Sequence, residues 1–201
     1  MKNLLVKRCI TIVSLICFII IIFWTEGFGL NKRYQYGKTI ERSLNFYYAH
    51  RMSDVGLNKI ISVEDISENR KLVFYETNKD TLMVGLVKKK WNNKWIVVGQ
   101  GGNIPLDISS IEESEDPNQY KTLYWVWSNL NEFGITVGLI YDKNVESVTV
   151  SNKEAKLLNK YTDRYIFYTT DTTGATSTDL KDIMDVKAYD KNNNKIYSYY
   201  P

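Results

Sequence analysis

The feature that most constrains this chain is a series of short runs, rich in β-branched and aromatic residues, that recur between polar turns from residue 58 onward. Four runs occupy residues 60–66, 71–77, 81–91 and 94–99, and seven more occupy residues 120–128, 134–141, 145–150, 156–159, 165–170, 183–189 and 196–200. Runs of this length, bounded by Asn, Asp, Ser and Gly, are typical of antiparallel strands joined by hairpins. The sequence therefore predicts a mainly β chain.

One helix is predicted before the first of these strands. Thr39 is a suitable N-cap, and Glu41 places a negative charge in the first turn. Ile40, Leu44 and Tyr48 follow at the spacing of one apolar helix face. A helix with such a face must bury it against a partner layer, so we expect an α+β fold, mainly β, in which the helix packs on an antiparallel meander.

Composition divides the chain into five segments. Residues 1–30 are a charged tip with an apolar stretch, 31–38 a polar tether, 39–103 the helix-plus-sheet unit, 104–119 an acidic linker, and 120–201 a β-sandwich-like unit. The regular spacing of short strands in the last segment predicts a small immunoglobulin-like β-sandwich, in architecture only, because the cysteine and tryptophan signature of antibody domains is missing.

The apolar stretch at residues 9–25 contains 17 residues without a charge. As a helix it would span roughly 25 Å, close to the ~30 Å of a bilayer's hydrocarbon core. Lys7 and Arg8 precede the stretch and Glu26 follows it, so the positive-inside rule places the N-terminus in the cytoplasm. We therefore expect an N-terminal transmembrane helix.

This anchor makes the predicted protein a single-pass protein of the cell membrane, in contact with the membrane through residues 9–25 and with an extracytoplasmic C-terminal body. A cleaved secretory signal is the alternative, because Gly27 and Gly29 loosely resemble a cleavage site. The length of the apolar core and its many Ile residues favour an uncleaved anchor.

The charge distribution argues against nucleic acid as a partner. The chain has 26 Lys and Arg against 23 Asp and Glu, which gives a net charge of +3. Lys2, Lys7 and Arg8 account for this excess, so residues 9–201 are electrically balanced. A nucleic-acid-binding protein would instead carry its basic excess on the folded body.

Several chemistries are excluded by residue counts. Cys9 and Cys17 both lie in the apolar stretch, and His50 is the only histidine. The body therefore has no thiol for a zinc or redox site, and a histidine-rich metal site is impossible. The patterns of serine hydrolases, zinc proteases and P-loop nucleotide-binding proteins are also missing from the sequence.

Two motifs imitate ligand sites. Residues 99–103 are rich in glycine, but a phosphate-binding loop would lead into a helix, and none is predicted there. Asp190, Asn192 and Asn194 match the start of a calcium loop, but Lys195 stands where that loop requires glycine, so a hairpin turn is the better interpretation. We expect neither a cofactor nor a metal.

A basic and aromatic cluster is predicted at the hairpin between the third and fourth runs. Its members are Lys88, Lys89, Lys90, Trp91, Lys94 and Trp95. Lysines beside indoles suit a phosphate-rich wall polymer or an anionic lipid headgroup. The structural alternative is a two-residue turn at Asn92 and Asn93, which would make Lys90 and Trp95 cross-strand neighbours on a lysine-protected edge.

A second aromatic cluster consists of Tyr124, Trp125 and Trp127. Exposed aromatic side chains stack on sugars, whereas buried ones fill a core. Burial between the two folded units is the favoured interpretation.

The overall pattern resembles a known kind of protein. It combines a lysine-led apolar segment, a helix, a meander containing KKKWNNKWIVVGQGG and a late strand pair containing DVKAYDKNNNKIY. This arrangement resembles uncharacterised membrane-anchored exported proteins of low-GC Gram-positive bacteria. The resemblance covers most of the chain and carries no catalytic or binding residues.

These observations predict a noncatalytic, membrane-tethered extracytoplasmic module that binds a protein or an envelope component. The alternative is a carboxylate-based envelope hydrolase such as a glycosidase, which needs only two suitably placed carboxyl groups. The 23 acidic residues offer many such pairs.

Overall fold

The computed structural model describes residues 13–18, 36–52, 54–90, 93–107, 119–158, 161, 164–171 and 185–199. Helix α1 is Ile40–Arg51 and the short helix α2 is Gln119–Thr122. The strands are β1 (Tyr36–Gly37), β2 (Leu57–Ser67), β3 (Arg70–Thr77), β4 (Thr81–Lys89), β5 (Trp95–Pro105), β6 (Leu123–Asn129), β7 (Gly134–Ile140), β8 (Ser147–Val150), β9 (Lys153–Glu154), β10 (Lys156–Leu157), β11 (Tyr165–Asp171), β12 (Val186–Tyr189) and β13 (Lys195–Tyr199). The prediction of a mainly β, antiparallel chain is confirmed.

The first sheet, sheet A, has the strand order β1-β5-β4-β3-β2. Strands β2 to β5 form a meander in which each strand pairs antiparallel with the next. The short strand β1, which the sequence pattern did not reveal, pairs with β5 at the other edge. Consecutive turns of this meander therefore lie at alternate ends of the sheet.

Helix α1 covers one face of sheet A. The Thr39 side chain caps it by accepting a hydrogen bond from the Arg42 backbone N–H. Leu44 and Tyr48 are buried and pack in one cluster with residues of β3, β4 and β5. The hydroxyls of Tyr48 and Tyr75 lie 2.9 Å apart, and burial raises the pKa of the Tyr75 phenol well above its usual value. The predicted packing of this helix on the meander is thus observed.

Residues after position 119 form two further four-stranded sheets. Sheet B has the order β10-β11-β7-β6, and sheet C has the order β13-β12-β8-β9. With β6 taken as strand A, these orders become D-E-B-A and G-F-C-C′, which is the strand order of an immunoglobulin-type sandwich. The two sheets enclose a core that includes Leu123, Ile140, Val148, Phe167, Val186 and Ala188.

Sheet B also packs against sheet A, through its other face. The shared core between them is a single cluster of buried side chains from both sheets. Sheet A contributes Leu72, Phe74, Leu82, Val84, Leu86 and Ile104, and the second half of the chain contributes Leu130, Ile135, Val137, Leu139, Leu158, Ile166 and Tyr168. The rings of Phe74 and Tyr168 have centroids 5.0 Å apart. Sheet B is therefore the middle layer between sheets A and C.

The glycines of β5 make this packing possible. A Cβ atom on Gly99 would lie 2.2 Å from the Leu130 carbonyl oxygen, and one on Gly101 would lie 2.2 Å from the Ser128 Cβ. The Ser128 hydroxyl accepts a hydrogen bond from the Gly102 backbone N–H at 3.0 Å. The glycines therefore lie inside a long strand, at the point where β6 and Leu130 come unusually close to it.

The predicted transmembrane helix is wrong. Within the described residues, no helix is both long and apolar enough to cross a membrane. This finding also contradicts the predicted single-pass location in the cell membrane. Residues 13–18 of the predicted span are helical. The rest of the expected anchor segment and residues 31–35 of the tether lie outside the described residues, in the ranges 1–12 and 19–35.

The division into two folded units stays a prediction. Residues 108–118, which form most of the expected acidic linker, lie outside the described residues. The segments on either side of them share the core between sheets A and B.

The close approach of β5 and β6 gives a test by substitution. Gly99→Ala should destabilise the chain by roughly 1–3 kcal/mol, because overpacking against backbone atoms forces a local shift. Gly56→Ala is the matched control, since its Cβ would meet only the Asn78 side chain, at 3.6 Å. A compatible Gly→Ala change leaves stability unchanged or raises it by about 0.4–1 kcal/mol. Urea unfolding of both variants measures the difference, and equal losses would contradict the packing argument.

Candidate functional site

The predicted basic cluster lies at the turn between β4 and β5. The Lys90 backbone N–H donates to the Lys94 carbonyl at 2.8 Å, and the Asn93 N–H donates to the Lys90 carbonyl at 2.9 Å. Asn93 has a φ of +57°. This is a three-residue hairpin loop whose last residue is left-handed, so the expected two-residue turn is wrong. Trp91 lies outside the described residues.

The longer loop changes which side chains face each other. Lys89, not Lys90, pairs with Trp95 across the two strands. A lysine of β3 lies beside the Trp95 ring: the Lys71 Nζ is 5.9 Å from the ring centroid and 2.5 Å from an Asp65 carboxylate oxygen. Trp95 itself is half-buried against the α1 side of sheet A.

Strand alternation places Lys88 and Lys89 on opposite faces of sheet A. Lys88 pairs with Arg70 of β3, whose guanidinium forms an ion pair with Glu132 at 3.1 Å. The Lys89 N–H donates to the Asn69 carbonyl at 2.8 Å, which brings the β2–β3 turn alongside. The basic residues thus surround one end of the sheet instead of forming a single flat patch.

We call this region the basic end. Its cationic residues are Arg70, Lys71, Lys88, Lys89, Lys90 and Lys94, and its acidic residues among those described are Asp65, Glu68 and Glu132. The described residues of the basic end therefore carry a surplus of positive charge.

The opposite end of sheet A carries a pocket of about 360 Å³ at the boundary with sheet B. It is lined by Glu76, Asp80, Leu106, Asp107, Leu139, Tyr161 and Arg164. The first four come from the ends of β3 and β5 and from the β3–β4 turn, whereas the last three come from the second half of the chain. The pocket thus exists only because the two sheets pack together.

Two charged groups of the pocket are held by protein partners. Glu76 accepts hydrogen bonds on both carboxylate oxygens, from the Asn58 side chain at 2.6 Å and from the Tyr161 hydroxyl. Arg164 donates to the Leu106 carbonyl, and its guanidinium lies 4.7 Å from the centroid of the Tyr141 ring. Both groups therefore serve to join the two sheets.

The pKa of the Tyr141 phenol depends on burial and on the charges beside the pocket. Burial raises the pKa of the Tyr141 phenol to about 12, the Arg164 guanidinium opposes this rise, and the Asp107 carboxylate adds to it. The Tyr141 hydroxyl donates to the Pro105 carbonyl at 3.2 Å, which anchors the end of β5.

Asp80 and Asp107 lie exposed at the pocket rim. Asp80 has a φ of +52° in the β3–β4 turn, and its carbonyl accepts the Leu106 N–H at 2.8 Å. This bond ties the segment that carries Asp107 to the turn that carries Asp80. Within the described part of the chain, no group of three His, Cys, Asp or Glu residues is placed to hold a metal ion.

A polar seam joins the edges of sheets A and B at strands β2 and β10. Glu64 of β2 forms an ion pair with Lys156 of β10, and its carboxylate also accepts the Ser62 hydroxyl at 2.9 Å. Burial alone would raise the pKa of the Glu64 carboxyl, but these hydrogen bonds outweigh it and hold the pKa below its usual value.

The second aromatic cluster is divided between two cores. Tyr124 packs in the core between sheets A and B, whereas Trp125 and Trp127 pack in the core between sheets B and C. The Trp125 ring meets Tyr199 edge-on, at 5.2 Å between centroids. The three rings therefore do not form one stacking platform, and the two tryptophans lie inside the sandwich, not between the predicted units.

The calcium-like motif is the turn between β12 and β13. The Asp190 carboxylate accepts hydrogen bonds from the backbone of Asn192 at 2.9 Å and of Asn194 at 2.8 Å, and from the Asn194 side chain at 3.0 Å. The Asn194 side chain contributes most to a lowered pKa for Asp190. The carboxylate thus stabilises the hairpin turn.

His50, the histidine that the sequence analysis singled out, is exposed at the end of α1, with its Nδ1 2.9 Å from the Phe46 carbonyl oxygen.

Sequence reasoning missed the pocket. Glu76 and Tyr161 are separated by 85 residues and Leu106 and Arg164 by 58, so no local pattern joins them.

Comparison with known proteins found no similar protein: no family model, curated protein or solved structure matches the chain. The resemblance to exported proteins of Gram-positive bacteria therefore stays a prediction.

From the lowered pKa of Glu64 in the polar seam, we predict that the stability of the fold depends on pH. A carboxyl whose pKa is lower in the folded state contributes stability above its usual pKa, here 4.5, and loses it as the pH falls through the lowered value. Glu64→Gln should therefore cost stability at pH 7, by about 1 kcal/mol or less, and should narrow the difference in stability between pH 7 and pH 3. Urea midpoints at both pH values test this, with Glu154→Gln on exposed β9 as control. An unchanged pH dependence in Glu64→Gln would contradict the assignment.

Proposed function

We propose that the protein is a noncatalytic binding module that takes an anionic envelope component at the basic end of sheet A. The observation that supports this proposal is the register of β3, β4 and β5, which gathers six cationic side chains around one end of sheet A. A phosphate-rich polymer is the ligand class that best fits this surface.

The distribution of the cations favours a flexible polymer. Lys88 and Lys89 are on opposite faces, and Lys90 and Lys94 flank the hairpin loop that follows. A chain of phosphates can wrap around such a strand end and meet cations on both sides, whereas a flat bilayer surface would meet only one side. Lysine suits this role because it binds phosphate as a point charge without demanding a fixed orientation.

In this proposal Trp95 has a structural role in the hairpin. Trp95 is half-buried against the α1 side of the sheet and lies beside Lys71. It stabilises the base of the hairpin, and so the lysines, rather than the indole, provide the recognition.

The hydrolase alternative has weaker support. Three carboxylates line the pocket, but Glu76 has both oxygens bonded to protein donors, and Asp80 and Asp107 are exposed at the rim. Carboxylate catalysis in a glycosidase needs a proton-donating carboxyl in an environment that keeps it protonated. The arrangement of the pocket favours binding over such chemistry.

The test is a binding measurement on the full chain with linear polyphosphate as the probe. The triple variant Lys89→Gln/Lys90→Gln/Lys94→Gln should bind more weakly than the parent over a salt series. Each lost phosphate contact lowers the slope of log affinity against log salt by about 0.7 for a single-stranded polyanion, so the slope should fall by roughly two.

The matched control is Lys143→Gln/Lys153→Gln/Lys191→Gln, which removes the same charge from exposed positions of the sandwich. It should bind like the parent. Equal loss in both triple variants would indicate a nonspecific charge effect, and full binding by the hairpin variant would overturn the proposal.

A further inference from the structure

A chain of side-chain hydrogen bonds runs from beneath α1 to the exposed C-terminal end of that helix. The Tyr75 hydroxyl donates to the Gln100 side-chain oxygen at 3.3 Å, so the proton between the Tyr48 and Tyr75 hydroxyls, which lie 2.9 Å apart, comes from Tyr48. The Gln100 Nε2 donates in turn to the Met52 sulfur at 3.7 Å. Every donor therefore points the same way along the chain, and the chain ends at Met52.

The last acceptor of this chain is its weakest. A thioether sulfur accepts hydrogen bonds poorly, whereas hydroxyl and amide oxygens accept them well. The two phenols at the other end of the chain are almost fully buried, and successive hydrogen bonds polarise one another where the local dielectric is low. A stronger acceptor at position 52 would therefore strengthen the bonds that join α1 to sheet A.

Met52 lies where an oxidant in solution can reach it. It is the C-cap of α1 and is 40% exposed, whereas Met83, the other methionine of the described residues, is half-buried in β4. Because much of Met52 already contacts water, a polar group on its sulfur removes little apolar surface from burial. The Met52 backbone N–H is held separately by the Tyr48 carbonyl, at 2.9 Å, so a chemical change at the sulfur leaves the helix end in place.

We propose that Met52 is an oxidation site whose sulfoxide holds α1 more tightly to sheet A. The oxidant is a hydroperoxide. The sulfur lone pair attacks the terminal peroxide oxygen, the O–O bond breaks, and the proton of the transferred hydroxyl passes to the leaving oxygen. The sulfur is oxidised to the sulfoxide, and the hydroperoxide is reduced to an alcohol, or to water where it is hydrogen peroxide.

The geometry accommodates the product. The 3.7 Å between the Gln100 Nε2 and the Met52 sulfur leaves space for the new oxygen at hydrogen-bonding distance from Nε2. Oxidation of a methionine inside an apolar core disrupts the core, because it makes a buried side chain polar. At Met52 the exposed position and the Gln100 donor reverse that effect, so oxidation strengthens the attachment of the helix.

The experiment treats the full chain with hydrogen peroxide and follows it by mass spectrometry and by NMR. Met52 should become the sulfoxide before Met83 does, and the signal of the Gln100 side-chain amide should move downfield. Amides in the last turn of α1 should then exchange with solvent about three- to tenfold more slowly, the factor expected for one improved hydrogen bond. Methionine sulfoxide reductase should restore the original rates.

Two variants make the test specific. Gln100→Glu keeps an acceptor for Tyr75 but removes the donor to Met52, so peroxide should not slow exchange in α1 of this variant. Met52→Leu removes the sulfur and should show no response of α1 to peroxide. Oxidation of Met83 before Met52, or unchanged or faster exchange in the oxidised parent, would overturn the proposal. Slowing of the same size in either variant would overturn it as well.

Discussion

The shared core between sheets A and B is the interaction on which the rest of the described structure depends. Sheet A has its other face covered by α1, and sheet B has its other face covered by sheet C. Each fully buried aliphatic or aromatic side chain in such a core contributes about 1.5–3 kcal/mol relative to exposure. If the contact were lost, both sheets would expose an apolar face to water, and the pocket lined from both sides would no longer exist.

The meander topology separates charge along sheet A. Because consecutive turns lie at alternate ends, the β2–β3 and β4–β5 turns bring the lysines together, while the β3–β4 turn and the end of β5 bring Asp80 and Asp107 together. The net charge of +3 alone does not indicate that the lysines are gathered at one end of the sheet. The basic end, where the polymer is proposed to bind, arises from this arrangement.

Local patterns predicted the strands well, because alternation and turn residues act over a few positions. The helix face at Leu44 and Tyr48 was also predicted, for the same reason. The structural role of Gly99 and Gly101 was not predicted: they let the chain at Ser128 and Leu130 approach β5, and this contact is between residues about 30 positions apart. The apolar stretch at residues 9–25 was interpreted as a membrane span, and the described part of the chain holds no such helix. The pocket depends on side chains brought together only by the packing of sheet A on sheet B, which sequence spacing does not encode.

The central claim is that sheet A and the sandwich fold as one body through the shared core. Urea unfolding of the full chain, followed by NMR at single amides, tests it most directly. Val84 of sheet A, Val137 of sheet B and Val148 of sheet C are all fully buried and report on the three layers. The account predicts one common midpoint for the three amides. A midpoint for Val84 that is clearly separate from a shared midpoint of Val137 and Val148 would contradict it and would show two independent units.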